Sequence, residues 1–312
     1  MDRARLVAAL LVASAVAASG ASAAAPALRV AWRVKIPAGF ANGIAVADGA
    51  VWVSGGSEAG PNGIWKLDAD TGQVLRRAYA GDVLGVFAAY GSLWTGEGPD
   101  TVVRLDRTGR ALARIRGTKG EGFAATPGAL WAGRTRIDPR TNSVVGHVPG
   151  RFSARGLVAG YGSLWIGGQV VKRVDPRTRR VVARIYEPGF KGATLHAAGA
   201  GGIWVVYSGD ATGGSHLTFV DPRTNRPSGR RVALGDDAPV GIAVARGRVW
   251  VLSNDGKHPG LLLRGIDPAA RRFVGRALRV QEISPFDGLA AAGESLYLAG
   301  DNRVSRISLP SG

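Results

Sequence analysis

The chain has four histidines and no cysteine in 312 residues, so acid/base or metal chemistry must come from a short set of side chains. His216 closes the stretch Ser208-Gly-Asp-Ala-Thr-Gly-Gly-Ser-His216 and His258 closes Ser253-Asn-Asp-Gly-Lys-His258, with Asp210 and Asp255 a few residues ahead of them. Brought together with His196, these residues could hold a divalent cation, magnesium or calcium, or act as an acid/base cluster, because imidazole and carboxylate are the usual ligand pair. The catalytic candidates among them are therefore His196, His216 and His258. The bland alternative is solvated loop histidines, with His196 a satisfied core or channel residue. The sequence demands no cofactor. Lack of cysteine excludes a disulfide framework, a thiol nucleophile and a lipid-anchored cysteine. There is no Gly-x-Ser-x-Gly elbow, and Gly199-Ala-Gly201-Gly202 leads into a strand rather than a dinucleotide-binding helix.

These residues are carried by a repeat. Gly49-Ala-Val-Trp52, Gly91-Ser-Leu-Trp94, Gly128-Ala-Leu-Trp131, Gly162-Ser-Leu-Trp165, Gly202-Ile-Trp204, Gly247-Arg-Val-Trp250 and Gly293-Glu-Ser-Leu-Tyr297 are variants of one phrase. Their aromatic residues lie 42, 37, 34, 39, 46 and 47 residues apart, in and around the period of four-stranded propeller blades. A second phrase follows, as in Leu105-Asp106-Arg-Thr-Gly109, Val174-Asp175-Pro-Arg-Thr-Arg179 and Val220-Asp221-Pro-Arg-Thr-Asn225. It reads as a hairpin turn: Asp bonds backbone N–H groups ahead of it, Pro presets φ, and a later Gly or Asn accepts a left-handed conformation. Asp68-x-Asp70-x-Gly72 faintly matches a calcium loop but occupies the same hairpin position.

One blade is therefore strand a (Gly156 to Ala159), strand b (Ser163 to Ile166), strand c (Val171 to Val174) and strand d (Val181 to Ile185). The C-terminus supplies only strands a to c of a seventh blade, and Val30 to Ile36 supplies its strand d. The expected fold is all-β, a seven-bladed β-propeller of four-stranded blades, its last blade closed by the N-terminal strand. Nine residues before the aromatic stand Gly43, Gly85, Gly122, Gly156, Gly241 and Gly288, which suits strands crowding a central axis. The next position is Ile44, Val86, Phe123, Leu157, Ile242 or Leu289, and His196 in the fifth blade.

Residues 1–23 read as a secretory signal peptide: Arg3 and Arg5, an apolar run, then Ala21-Ser22-Ala23. The run is too short to span a membrane. Residues 24–312 form the propeller domain, expected to be secreted or periplasmic and a monomer. The formal net charge is +17. Loss of Asp2, Arg3 and Arg5 leaves +16, carried by scattered arginines. Export and the lack of Lys/Arg blocks argue against nucleic acid. Basic strand-c positions Lys66, Arg104, Arg136, Arg173 and Arg306 read as rim residues laying their stems along a neighbouring blade.

The two phrases, Gly-x-Leu-Trp on strand b and Asp-Pro-x-Thr at the c–d hairpin, resemble the secreted seven-bladed propellers of the YVTN and streptogramin (virginiamycin B) lyase-like type over residues 28 to 312. That resemblance implies either a binding module or a carbon–oxygen lyase that opens a lactone with a histidine base and magnesium. The lyase pattern puts its histidine eleven residues before the tryptophan and a glutamate three after. Here the former positions hold Ala41, Val83, Gly120, Ala154, Ala193, Pro239 and Phe286, and only Glu97 fits the latter. That match makes Glu97 a further catalytic candidate on the resemblance alone, and a carboxylate without its base cannot remove the proton.

Strand alternation puts the b–c and d–a loops on one face. Those loops carry 13 acidic and 6 basic residues, while the c–d hairpins carry the arginine surplus. Ligand contacts are therefore expected from Glu121, Arg155, Asp210, Asp237, Asp255 and Asp287. The expected partner is a small molecule or peptide at this acidic funnel, or an anionic envelope polymer on the arginine-rich face.

Overall fold

The computed structural model describes residues 28–57, 60–118, 122–150, 156–187, 192–207, 214–280 and 288–310. Seven antiparallel sheets follow one another around a ring, and the described residues contain no helix. Blades 1 to 4 and blade 6 are consecutive four-stranded meanders. Blade 4 has strands Leu157–Gly160, Ser163–Ile166, Val171–Val174 and Val181–Ile185. In blade 5 the outer strand is broken into Arg226–Pro227 and Val232–Gly235, both paired with Ser215–Asp221. Blade 7 joins the chain ends: Arg29–Lys35 pairs antiparallel with Arg303–Ser308, outside Ser295–Gly300 and Gly288–Ala292.

Each repeated aromatic is the centre of one inter-blade core. Trp165 packs on Ala193, Ile203, Val205 and Val220 of blade 5, Trp131 on Leu164, Ile166 and Val174 of blade 4, and Tyr297 on Val51, Val53, Trp65 and Leu67 of blade 1. Trp94, Trp165 and Trp250 donate from the indole N–H to carbonyls five residues upstream, at 3.0, 3.0 and 3.2 Å. Trp131 donates to Thr126 Oγ1 at 2.9 Å. A buried indole usually finds such a partner, and in these four blades the end of strand a supplies it; Trp204 Nε1 is the exception, buried with no partner among the described residues.

The basic strand-c residues take the place expected for them and do more. Arg173 sits across from Trp165 in register, its guanidinium 5.2 Å from the ring centroid. Its Nε donates to Ser163 Oγ at 2.8 Å and its Nη1 to Asn225 Oδ1 at 2.7 Å, in the hairpin of the next blade. Arg104 repeats this with Trp94, Ser92 and Asn142, and Arg306 with Tyr297, Ser295 and Asp70. Arg76, Arg179 and Arg271 donate to carbonyls of Thr108, Val145 and Ser228 in adjacent blades, and Arg107 pairs with Asp48. Much of the arginine surplus thus stitches blade to blade.

The hairpins form as read. Asp175 Oδ1 accepts from the Arg177 N–H at 2.8 Å, and Arg179 sits at φ 62°. Such bonds, chiefly from backbone N–H or a threonine hydroxyl, hold the carboxyls of Asp68, Asp106, Asp138, Asp175, Asp221 and Asp267 below the usual aspartate range. The glycine column has two causes rather than the one expected. At Gly43 a Cβ would stand 2.7 Å from the Cα of Gly85, so crowding decides. At Gly85 a Cβ would meet nothing within 4 Å, but φ is +69°, so the backbone conformation decides.

Candidate functional site

Among the sequence candidates, the described carboxylates of the funnel face are already engaged. Glu97 Oε1 accepts from the Tyr79 hydroxyl at 2.5 Å, and Arg114 Nη2 donates to that hydroxyl at 2.8 Å. Burial, reinforced by Glu97, pushes the Tyr79 phenol up to about 12. Asp237 holds Arg264 and accepts from Ser253 Oγ at 3.2 Å. Asp255 accepts from Arg279 Nη2 at 2.6 Å and faces His258 Nδ1 at 3.0 Å. The Arg279 bond, followed by those from His258, holds its carboxyl far below the usual range.

His216 meets a different partner. Its Nε2 is 3.9 Å from Glu187 Oε1, its ring stacks on Tyr207 with centroids 5.4 Å apart, and Arg231 from the break in the blade 5 outer strand pairs with Glu187. Burial raises the Glu187 carboxyl against the opposing pull of Arg231. Burial, then Arg231, lowers the His216 imidazole to about 4. His196 lies in the innermost strand of blade 5, Ala193–Gly199, its Nδ1 2.5 Å from the Gly156 carbonyl of blade 4 and its Nε2 buried without a hydrogen-bond partner among the described residues. That bond makes Nδ1 the protonated nitrogen. Burial lowers this ring to about 4 as well.

The structure therefore divides the expected cluster. His216 belongs with Glu187 and His258 with Asp255, and among the described residues no three His, Asp or Glu side chains converge to hold a metal ion. Of the expected carboxylate donors, Asp255 faces a guanidinium, as do Glu97 and Asp237, while Asp210 lies outside the described residues. Glu121, Arg155, Asp210 and Asp287, expected to touch ligand, lie outside the described residues. So does the signal segment. The acidic reading of the funnel face needs correction in this respect: Arg114, Arg231, Arg264 and Arg279 reach loop carboxylates from the strands or, for Arg231, from a break between strands, and a count confined to loops omits them.

The two depressed histidines give a pH signature. A ring that titrates near 6.5 unfolded and near 4 folded leaves the unfolded state binding more protons in between. Stability from each is then complete above 6.5 and is lost as pH falls toward 4, with a slope of up to about 1.4 kcal/mol per pH unit. We expect His196→Leu, which restores the residue type of the other blades, to flatten the fall of Tm between pH 6.5 and 4. A variant whose Tm falls as steeply as the parent's over that range shows that His196 is not buried neutral.

A larger concave site among the described residues lies elsewhere, in the channel. A cavity of about 740 Å³ opens among blades 1, 2, 3 and 7, within the size range of small-molecule sites. Its apolar wall includes Phe40, Ile44, Leu84, Phe87, Phe123 and Leu289, with Phe87 and Phe123 stacked at 6.1 Å between adjacent blades. Gly43, Gly85, Gly122 and Gly288 also line it, and at Gly85 a Cβ would meet nothing within 4 Å, so that missing side chain leaves space open. Its polar lining is Asn42, Ser57, Asn62 and Asp82. Sequence reasoning missed this site, although the signal was present. The alternation of glycine with a large apolar residue in strand a, taken as architecture, is what builds an open apolar channel.

Fold and cavity define the class: a seven-bladed β-propeller with an apolar channel pocket. No family model matches the chain, and no curated protein does. Among solved structures it is similar to the WD40 β-propeller domain of Doa1, with TM-score 0.69 and 13% identity over 90% of this chain and 97% of that one. A chain of the Mitotic Checkpoint Complex matches with TM-score 0.67 and 14% identity over 98% and 99%. The computationally designed Ika8 protein matches with TM-score 0.60 and 14% identity over 88% and 98%. At such identities the likeness concerns the fold, and one fold hosts unrelated activities.

Proposed function

We propose that this protein is an exported binding module that takes a small, largely apolar ligand into its channel. The observation that carries this reading is the cavity itself: aromatic and aliphatic walls, glycines along its strands, and a few polar groups among its lining residues. Convergence of that kind is what distinguishes a ligand site from a packing defect. The signal-like N-terminus supports a secreted or periplasmic location, and the Gly-x-Leu-Trp and Asp-Pro phrases support a place among the YVTN and streptogramin lyase-like propellers.

The lyase reading gains no comparable support. Glu97, its one matching residue, is spent on Tyr79 and Arg114. Nor does the arginine-rich face favour an anionic polymer, because several of its guanidinium groups bridge blades. The binding reading is tested with N-phenyl-1-naphthylamine, a neutral apolar fluorophore. A saturable, single-site rise in its fluorescence on titration into the native protein is expected. An emission that stays at its aqueous level throughout removes the proposal.

A further inference from the structure

We propose that the channel cavity selects small apolar amines in their protonated form; this rests on the binding reading above. Three observations converge on it. Asn42 Nδ2 donates to the Val83 carbonyl at 3.0 Å, which fixes the orientation of the amide. Its Oδ1 is then turned away from that carbonyl, and it is buried without a hydrogen-bond partner among the described residues. A buried unpartnered acceptor is uncommon in a native fold; a shift of the Asn42 side chain that opens it to the cavity beside it would let a ligand N–H satisfy it.

The second observation is Asp82. It is exposed, lines the cavity and forms no ion pair among the described residues, whereas Glu97, Glu187, Asp237 and Asp255 each hold an arginine. Third, the wall is aromatic. Phe40, Phe87 and Phe123 line the same space, and aromatic faces attract a cation that has shed part of its water. No Lys, Arg or His is among the described lining residues. Carboxylate, unpaired amide oxygen and aromatic rings together call for a donor that carries positive charge. The apolar volume calls for a hydrocarbon body behind it. In a chain of formal net charge +17, such a preference must arise locally.

Calorimetric titration at low salt with a charge series built on one body provides the test: phenethylamine, phenethyl alcohol and 3-phenylpropionate. The amine should bind at least tenfold more tightly than the alcohol, with the acid weakest, and added salt should narrow the gap. Asp82→Asn should bring the amine to the level of the alcohol and leave the alcohol unchanged, with a melting curve matching the parent's. An alcohol or acid that binds as tightly as the amine overturns the inference, as does an amine preference that survives Asp82→Asn. In that case naphthylamine binding still upholds the cavity. If none of the three compounds binds and the naphthylamine fluorophore also fails, both readings fall together.

Discussion

Deletion of residues 24–36 is expected to abolish cooperative unfolding. The strand Arg29–Lys35 makes six registered pairs with Arg303–Ser308, and its loss strips the outer edge from blade 7. Trp32 donates from its indole N–H to the Ala69 carbonyl at 3.2 Å and packs on Tyr297 with centroids 6.1 Å apart. Ile36 is part of the core shared with Trp65, Leu67 and Val304. The strand therefore fastens blade 7 to blade 1 as well as completing a sheet. A ring opened at this seam exposes a strand edge and two apolar blade faces. Urea unfolding followed by tryptophan fluorescence should change from one sharp transition to a broad slope, with a lowered m value. A truncated protein that unfolds sharply at the parent's midpoint shows that the ring does not depend on this closure.

The second large effect is expected at Trp165. Its ring is fully buried between blades 4 and 5, it donates to Gly160, and Arg173 stacks over it before reaching the blade 5 hairpin. Trp165→Ala removes the ring and leaves the Arg173 guanidinium without its platform. A cost of about 3–5 kcal/mol follows from the cavity and transfer terms, a large fraction of the ~5–15 kcal/mol that keeps domains folded. Chemical denaturation should show it as a shift in midpoint. Trp165→Phe, which keeps most of the apolar volume, should cost less than half as much. Equal losses for the two variants show that ring size is not what the interface requires.

The ring, its closure and its hairpins were legible because they obey local rules repeated seven times. Strand b and strand c of blade 4 fall on Ser163–Ile166 and Val171–Val174 as read from one repeat. The Asp-Pro phrase declares its own turn geometry. Arg173 was read correctly as a rim residue, but its bond to Asn225, 52 positions away, depends on which blade is its neighbour. The site was harder to read. Loop carboxylates look available in sequence, yet Arg264 and Arg279 lie on strands whose period-2 pattern hides that they reach Asp237 and Asp255. His196 was rightly marked as the break in an apolar column. The column itself went unrecognised, because Ile44, Phe123 and Leu289 are indistinguishable from core residues until the ring shows that their strands face an axis.

Ligand entry into the channel is tested most directly by one comparison: N-phenyl-1-naphthylamine affinity in the native protein against Leu84→Glu. Leu84 lines the cavity and is 46% exposed, so the substitution should leave the melting curve close to the parent's while placing a charge in the apolar wall. A loss of affinity of at least tenfold, with an unchanged fold, is the predicted result. Equal affinity in both proteins would place the probe elsewhere and contradict the assignment of the channel as the binding site.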